Sequence, residues 1–124
     1  MTLTVGRKKR KVTRDITMTD VDGDTVSPGA NDVVRVKIGR TGQIPVLDLD
    51  SAAASNNGST ITKDTPSAGV NRLAVVEDDM DLLSVGVYTM EVSLVDNADS
   101  EAIKHVEHQV FVVQQVMLGD VGLS

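Results

Sequence analysis

Apolar and polar residues alternate with a period of two along most of the chain, and turn residues interrupt the alternation at short intervals. Side chains of a β-strand point alternately to its two faces, so this period predicts strands with one buried face. The clearest example is residues 87–95, where one face would carry Tyr88, Met90, Val92 and Leu94. The predicted strands cover residues 13–18, 32–38, 44–50, 60–63, 70–76, 87–95 and 102–113.

About seven antiparallel strands at this spacing are typical of a β-sandwich, and an all-β fold is therefore predicted. Pro45 predicts that its strand lies at a sheet edge, because proline cannot donate to a central ladder. Residues 51–59, SAAASNNGS, are expected to form an exposed loop, and residues 77–83 resemble a helical turn. The predicted core contains Val34, Val36, Leu73, Val75, Tyr88, Val92, Val110 and Val112, with Val106 also inward.

Composition limits what this core can contain. The 124 residues suit one domain, 40% of them are hydrophobic, and one Phe, one Tyr and no Trp predict an aliphatic core. The absence of cysteine excludes disulfides and thiolate metal sites. No segment approaches the roughly 20 apolar residues that a membrane helix needs, so no membrane partner is expected.

Charge is distributed very unevenly along the chain. The stretch GRKKRKV, residues 6–12, contains five consecutive basic residues, although the formal net charge of the chain is -6. Residues 15–124 carry six basic and eighteen acidic groups. A run of like charges usually remains solvated, so residues 1–14 are predicted to form a basic arm that is disordered in the free protein. The sandwich is then expected over residues 15–113, followed by a tail over 114–124.

Three aspartates resemble the start of a calcium-binding loop. Asp20, Asp22 and Asp24 have the spacing that opens such a loop, and Ca²⁺ prefers oxygen ligands. The glycine, however, occupies the fourth loop position rather than the sixth, and Asn31 stands where a bidentate glutamate is required. The segment is therefore interpreted as an acidic hairpin turn.

No other residue pattern predicts a metal, a cofactor or catalysis. His105 and His108 would face opposite sides of a strand, which separates them as ligands. The acidic residues of 77–81 are interpreted as a solvated face. Neither histidine lies near a nucleophile motif, and no phosphate-binding glycine loop is present, so the chain is not expected to be an enzyme.

The basic run also resembles a nuclear import signal, and such runs can bind phosphates of nucleic acids. The rest of the chain is acidic and offers no aromatic platform for stacking bases. Specific nucleic-acid recognition is therefore not expected.

The order of several segments resembles a known family. These are DGDTV (22–26), VVRVKI (33–38), VLDLD (46–50), GVNRLAVV (69–76), EDDMDLL (77–83), GVYTMEVSLVD (86–96) and a final valine-rich strand. Together they resemble the immunoglobulin-like domains of tailed-phage virion proteins, including the amino-terminal domain of the baseplate upper protein. The similarity covers about residues 15–113. The family often has a glycine, one further residue and an aromatic in its last strand, where this chain has His108 and Val110.

The resemblance implies an immunoglobulin-like sandwich and a structural role in a phage particle. Combined with the basic arm, it suggests a capsid decoration protein on the virion surface that binds the major capsid protein, with homo-oligomeric contacts. A tail or baseplate component and a host-surface adhesion domain are the alternatives. The residues expected to bind the partner are Arg7, Lys8, Lys9, Arg10, Lys11 and Arg14.

Overall fold

A computed structural model describes residues 3–96 and 102–115. The described chain contains nine strands and one short helix, α1 (Glu77–Asp81). The strands are β1 (Leu3–Arg7), β2 (Val12–Thr19), β3 (Thr25–Val26), β4 (Asp32–Gly39), β5 (Leu47–Asp50), β6 (Thr60–Thr62), β7 (Val70–Val75), β8 (Gly86–Asp96) and β9 (Ala102–Gln114).

The strands form two sheets that enclose one core, which confirms the predicted all-β, sandwich-like fold. The five-stranded sheet has the order β1-β9-β8-β4-β5, and the four-stranded sheet has the order β3-β2-β7-β6. Strand β5 lies at a sheet edge, as Pro45 predicted. Two strands were not expected: β1, and the short β3 that pairs with the end of β2 across the predicted turn at residues 20–24.

The core is largely aliphatic and draws on both sheets. It includes methionines 18, 80 and 90 together with valines, leucines and isoleucines, and it also contains Phe111 and Tyr88. Residues Val34, Val36, Leu73, Val75, Tyr88 and Val92 are buried as predicted. The predicted helical turn is also present as α1, which places Met80 in the core, with Leu83 buried just beyond it.

The predicted inward positions of β9 are wrong. Val110 and Val112 are only partly buried and Val106 is 40% exposed, whereas Phe111 and Val113 are buried. Val110 and Val112 lie opposite Thr89 and Val87, which belong to the outer face of β8. Residues 110–113 are all apolar, so alternation alone could not determine which of them face the core.

The basic segment is not an arm outside the sandwich. Residues 3–7 form β1, which pairs in parallel with residues 110–114 of β9, and residues 12–14 already belong to β2. A Cβ atom at Gly6 would lie 2.6 Å from a methyl of Val12 and 2.9 Å from the methyl of Met80. Glycine therefore allows β1 to pack closely over the core, which holds this segment in the fold.

Two sequence predictions fall largely outside the described residues. The turn predicted at residues 96–100, between the predicted strands 87–95 and 102–113, lies outside the described ranges from residue 97 onward, and so does all of the predicted tail beyond Gln115. Within those ranges, no helix is long and apolar enough to cross a membrane.

Candidate functional site

The basic residues 7–11, which we call the basic loop, carry the chain from one sheet to the other. Arg7 ends β1 in the five-stranded sheet, and Val12 begins β2 in the four-stranded sheet. The Lys8 amide donates to the Gln114 carbonyl at 2.9 Å, and the Arg10 amide donates to the Arg7 carbonyl at 3.1 Å. These backbone bonds hold the loop as a turn at one end of the sandwich.

The Lys8 side chain makes its contacts within the protein. Its Nζ donates to the carbonyl oxygen of Asp81, the last residue of α1, at 2.9 Å, and to that of Leu83, just beyond the helix, at 3.3 Å. It also lies 3.4 Å from the Asp81 carboxylate. A cation is favourable at a helix C-terminus, where backbone carbonyls lack helical partners. Lys8 therefore fastens the basic loop to α1.

The fold brings the most basic and the most acidic segments of the sequence together. Lys9 Nζ lies 3.9 Å from the Asp81 carboxylate. Lys11 lines a hollow of about 280 Å³ together with Glu77 and Asp78 at the start of α1. Part of the basic charge is thus offset by acidic neighbours within the same molecule.

Several cations of the predicted site still face solvent. The Lys9 side chain is 69% exposed, Lys11 is exposed, and Arg10 is partly buried. Arg14 is also exposed, on β2 beyond the loop. Lys8, Lys9 and Arg10 line a hollow of about 410 Å³ with Gln115. This surface can bind carboxylates or other anions, because its lysines and arginines present several donors to one approaching surface.

Asp79, which was expected on a solvated acidic face, is instead 3% exposed. Its carboxylate accepts hydrogen bonds from Ser55 Oγ at 2.6 Å, Asn57 Nδ2 at 2.8 Å and Ser59 Oγ. Burial raises the pKa of this carboxyl, but these three hydrogen bonds outweigh it and leave the pKa below its ordinary value. The prediction of a wholly exposed loop at residues 51–59 is therefore wrong for Ser59, which is buried.

Asp32 forms a second buried carboxylate cluster at the opposite end of the sandwich. Its carboxylate accepts a hydrogen bond from the Gly29 amide at 2.7 Å. It also forms an ion pair with the Lys104 ammonium group at 3.2 Å. Lys63 donates to the neighbouring backbone carbonyls, including that of Asp32 at 2.6 Å. The Gly29 hydrogen bond is the main cause that lowers the pKa of Asp32, and Lys104 contributes further.

The structure places the other candidate ligands in unrelated roles. Asp20 Oδ1 accepts the amides of Asp22 at 2.9 Å and Asp24 at 3.0 Å, so this carboxylate closes the predicted hairpin turn. His105 contacts Glu107 at 3.0 Å, while His108 contacts Glu91 at 3.4 Å. Among the described residues, no group of three or more potential ligands is arranged to hold a metal ion.

Comparison with protein-family models gave no match to the chain, and comparison with curated proteins gave none either.

Proposed function

We propose that this protein is an immunoglobulin-like domain that decorates the surface of a phage capsid and attaches through the outward cations of the basic loop. The major capsid protein is the proposed partner, and the virion surface is the proposed location. The resemblance in segment order supports the phage assignment, and the fold and charge distribution support the rest.

Two features of the fold favour the immunoglobulin-like assignment. Strands β2, β7 and β6 form one layer, while β4, β8 and β9 are neighbours in the other, as in sandwiches of that class. In addition, the hydroxyl of Tyr88 near the start of β8 donates to the Ser84 carbonyl at 3.0 Å. A tyrosine that bonds back to upstream backbone at this corner is a hallmark of the class.

The observation that carries the attachment proposal is the exposure of Lys9 and Lys11 on a chain with a net charge of -6. An acidic body is repelled by an acidic acceptor, but a local basic surface can orient it for binding. The acceptor is therefore expected to present carboxylates opposite the basic loop. Exposed contacts of this kind weaken as salt increases, because screening acts over about 8 Å at physiological ionic strength.

Charge substitution is a better test than deletion of the amino-terminal segment. Deleting residues 1–11 would remove β1 and uncover the edge of β9, so that lost binding could reflect lost structure. The double variant Lys9→Gln, Lys11→Gln leaves β1 and the Lys8 contact in place. A matched control, Arg40→Gln, Arg72→Gln, removes the same charge elsewhere.

Binding to particles assembled without the protein should be measured by cosedimentation at several salt concentrations. The loop variant should bind at least about tenfold more weakly than the control variant in low salt, since two charged contacts are lost together. Equal binding of the two variants would reject the basic loop as the attachment site. Loss of binding by both would indicate general charge dependence and would also contradict a localised site.

A tail or baseplate component remains the second candidate, because the resemblance includes a baseplate protein. Quantitative mass spectrometry of purified particles distinguishes the two: a copy number comparable with the major capsid protein supports decoration, and only a few copies support the tail. A carbohydrate-binding adhesion domain is less well supported, since the only Phe and the only Tyr are both buried. Neither ring can stack on a sugar.

A further inference from the structure

The outer face of the five-stranded sheet carries a cluster of apolar side chains. Parallel pairing of β1 with β9 and antiparallel pairing of β8 with β9 place them side by side. Val87 is 63% exposed and Leu3 is 54% exposed. We define the valine face as Leu3, Val5, Val87, Val110 and Val112. These residues lie outside the core cluster of the described chain.

The apolar surface continues along β9 toward the other end of the sandwich. Val106 is 40% exposed and Ile103 is 61% exposed on the same strand. Between the valine face and Val106, the outer face of β9 carries His108, whose Nε2 lies 3.4 Å from the Glu91 carboxylate on β8. Large exposed apolar patches on soluble proteins commonly mark interaction sites.

We propose that this sheet face binds a second copy of the same chain, so that the two copies pack face to face about a two-fold axis. This inference does not depend on the proposed capsid function. A two-fold arrangement brings the same surface of both copies together, and within the valine face β9 lies between β1 and β8. Face-to-face sheets pack about 10 Å apart with interdigitating side chains.

Charge complementarity favours a second copy over a strongly charged partner. The charged groups on this face lie beside groups of opposite charge: Arg35 Nη2 lies 2.8 Å from the Asp48 carboxylate. Lys37 is opposite both Asp48 and Glu91 in the strand register. The face is therefore close to neutral although the chain is acidic, and two copies can approach through it without strong repulsion.

The available area is also consistent with a dimer. Strands β1, β9, β8 and β4 lie side by side, and β8 contains 11 residues. With strands about 4.8 Å apart and about 3.4 Å per residue, the face covers roughly 600 Å². Two copies would bury about 1,200 Å² in total, which is the lower end of the range for specific interfaces.

Sedimentation velocity of the full chain across a wide concentration range tests this proposal. The wild type should form a concentration-dependent dimer, and Val87→Asp should raise its dissociation constant at least about tenfold by placing a charge in the buried interface. Leu3→Asp provides a second variant at a different strand. Val21→Asp is the matched control. It adds the same negative charge at a fully exposed position, the β2–β3 turn, away from the proposed interface. Circular dichroism should show that all variants remain folded.

Three results would overturn the proposal. The first is a chain that remains monomeric at every concentration, both in full length and after removal of residues 116–124. The second is dimerisation only after that removal, which would assign the face to the chain's own tail. The third is a dimer that Val87→Asp and Leu3→Asp weaken no more than Val21→Asp does.

Discussion

The two ends of the sandwich are each organised around one buried aspartate, but by different chemistry. At the end that carries the basic loop, Asp79 is held by two hydroxyl groups and one amide, all of them neutral. At the opposite end, Asp32 is held by a backbone amide and by the ammonium group of Lys104, whose side chain is 49% exposed. The highly basic end thus does not use a cation for its buried carboxylate.

This difference explains why the side chains of Lys9 and Lys11 in the basic loop can face solvent. Because Ser55, Asn57 and Ser59 satisfy Asp79, neither Lys9 nor Lys11 is needed to compensate its buried charge. Ser59 Oγ also accepts the Val76 amide at 3.0 Å, which joins the 51–59 loop to the start of α1. Neutral donors fix this end of the fold, while the exposed cations are left for other contacts.

The largest expected effect is that of Asp79→Ala. The substitution would leave three donors without their acceptor, two of them in a region that water reaches poorly, and it should lower the free energy of unfolding by about 3 to 5 kcal/mol. Urea denaturation measures this change. The neighbouring Asp78→Ala is the control, because Asp78 is exposed and should have a small effect. Equal losses for both variants would contradict the role assigned to Asp79.

Acid should destabilise both ends. The folded-state pKa values of Asp79 and Asp32 are lowered, so the unfolded chain binds more protons in acid than the folded chain does. The stability that they contribute is therefore complete above their ordinary pKa of 3.8 and is lost as the pH falls through the lower folded-state values. Urea denaturation between pH 6 and 2 should show this loss, since the range spans the ordinary aspartate pKa of about 4. In Asp79→Asn, the free energy of unfolding should fall less steeply with decreasing pH. An unchanged slope would contradict the assignment of Asp79.

Asp32→Ala should have a smaller effect than Asp79→Ala. It removes the acceptor of the Gly29 amide and should cost about 1 to 3 kcal/mol, whereas the half-exposed Lys104 can be solvated by water. Added salt should also affect the two ends differently. It screens the attraction between Asp32 and Lys104, whereas the hydrogen-bond donors to Asp79 are neutral and their contacts depend less on salt. Thermal unfolding of Lys104→Met at low and high salt would measure the contribution of this pair. A salt effect that is the same in the variant and the wild type would argue against it.

The smallest effect is expected within the basic loop itself. Lys8→Met should lower stability by about 0.5 to 1 kcal/mol, since Lys8 Nζ donates to two carbonyls at the end of α1. Lys9→Met should leave stability unchanged within error, because its contact with Asp81 is long and exposed. Chemical denaturation of the two variants would show whether only Lys8 has a structural role. A greater loss for Lys9→Met would reverse the assignment.

The sequence predicted the sandwich and most of its core because strands with one polar face reveal their inward side. Residues 32–38 and 87–95 are such strands, and the residues predicted on their inward faces are buried: Val34, Val36, Ile38, Tyr88, Met90, Val92 and Leu94. The same reasoning failed for β9, where both faces are apolar near residues 110–113 and pairing with β8 determines the orientation. The edge position of β5 followed from Pro45 because proline limits backbone hydrogen bonding wherever it occurs.

The site was harder to predict because its important contacts join segments distant in sequence. Asp79 and Ser59 are twenty residues apart, and neither stands out from its acidic or serine-rich surroundings. Lys8 and Asp81 are separated by 73 residues. The basic run looked like an arm because its charge is conspicuous, whereas the signal for β1 consists of a few residues around Gly6. Close packing at Gly6 depends on Met80 and Val12, which local sequence patterns do not reveal.

The parallel pairing of β1 and β9 has a mechanical consequence. Both strands run in the same direction and are matched over five residue pairs, from Leu3 with Val110 to Arg7 with Gln114. A pulling force between Leu3 and Gln114 would slide one strand along the other and load the hydrogen bonds between them together. The β2–β3 hairpin, by contrast, has two matched pairs that can open one after the other. The β1–β9 pairing should therefore resist tension along the chain better than its short length suggests.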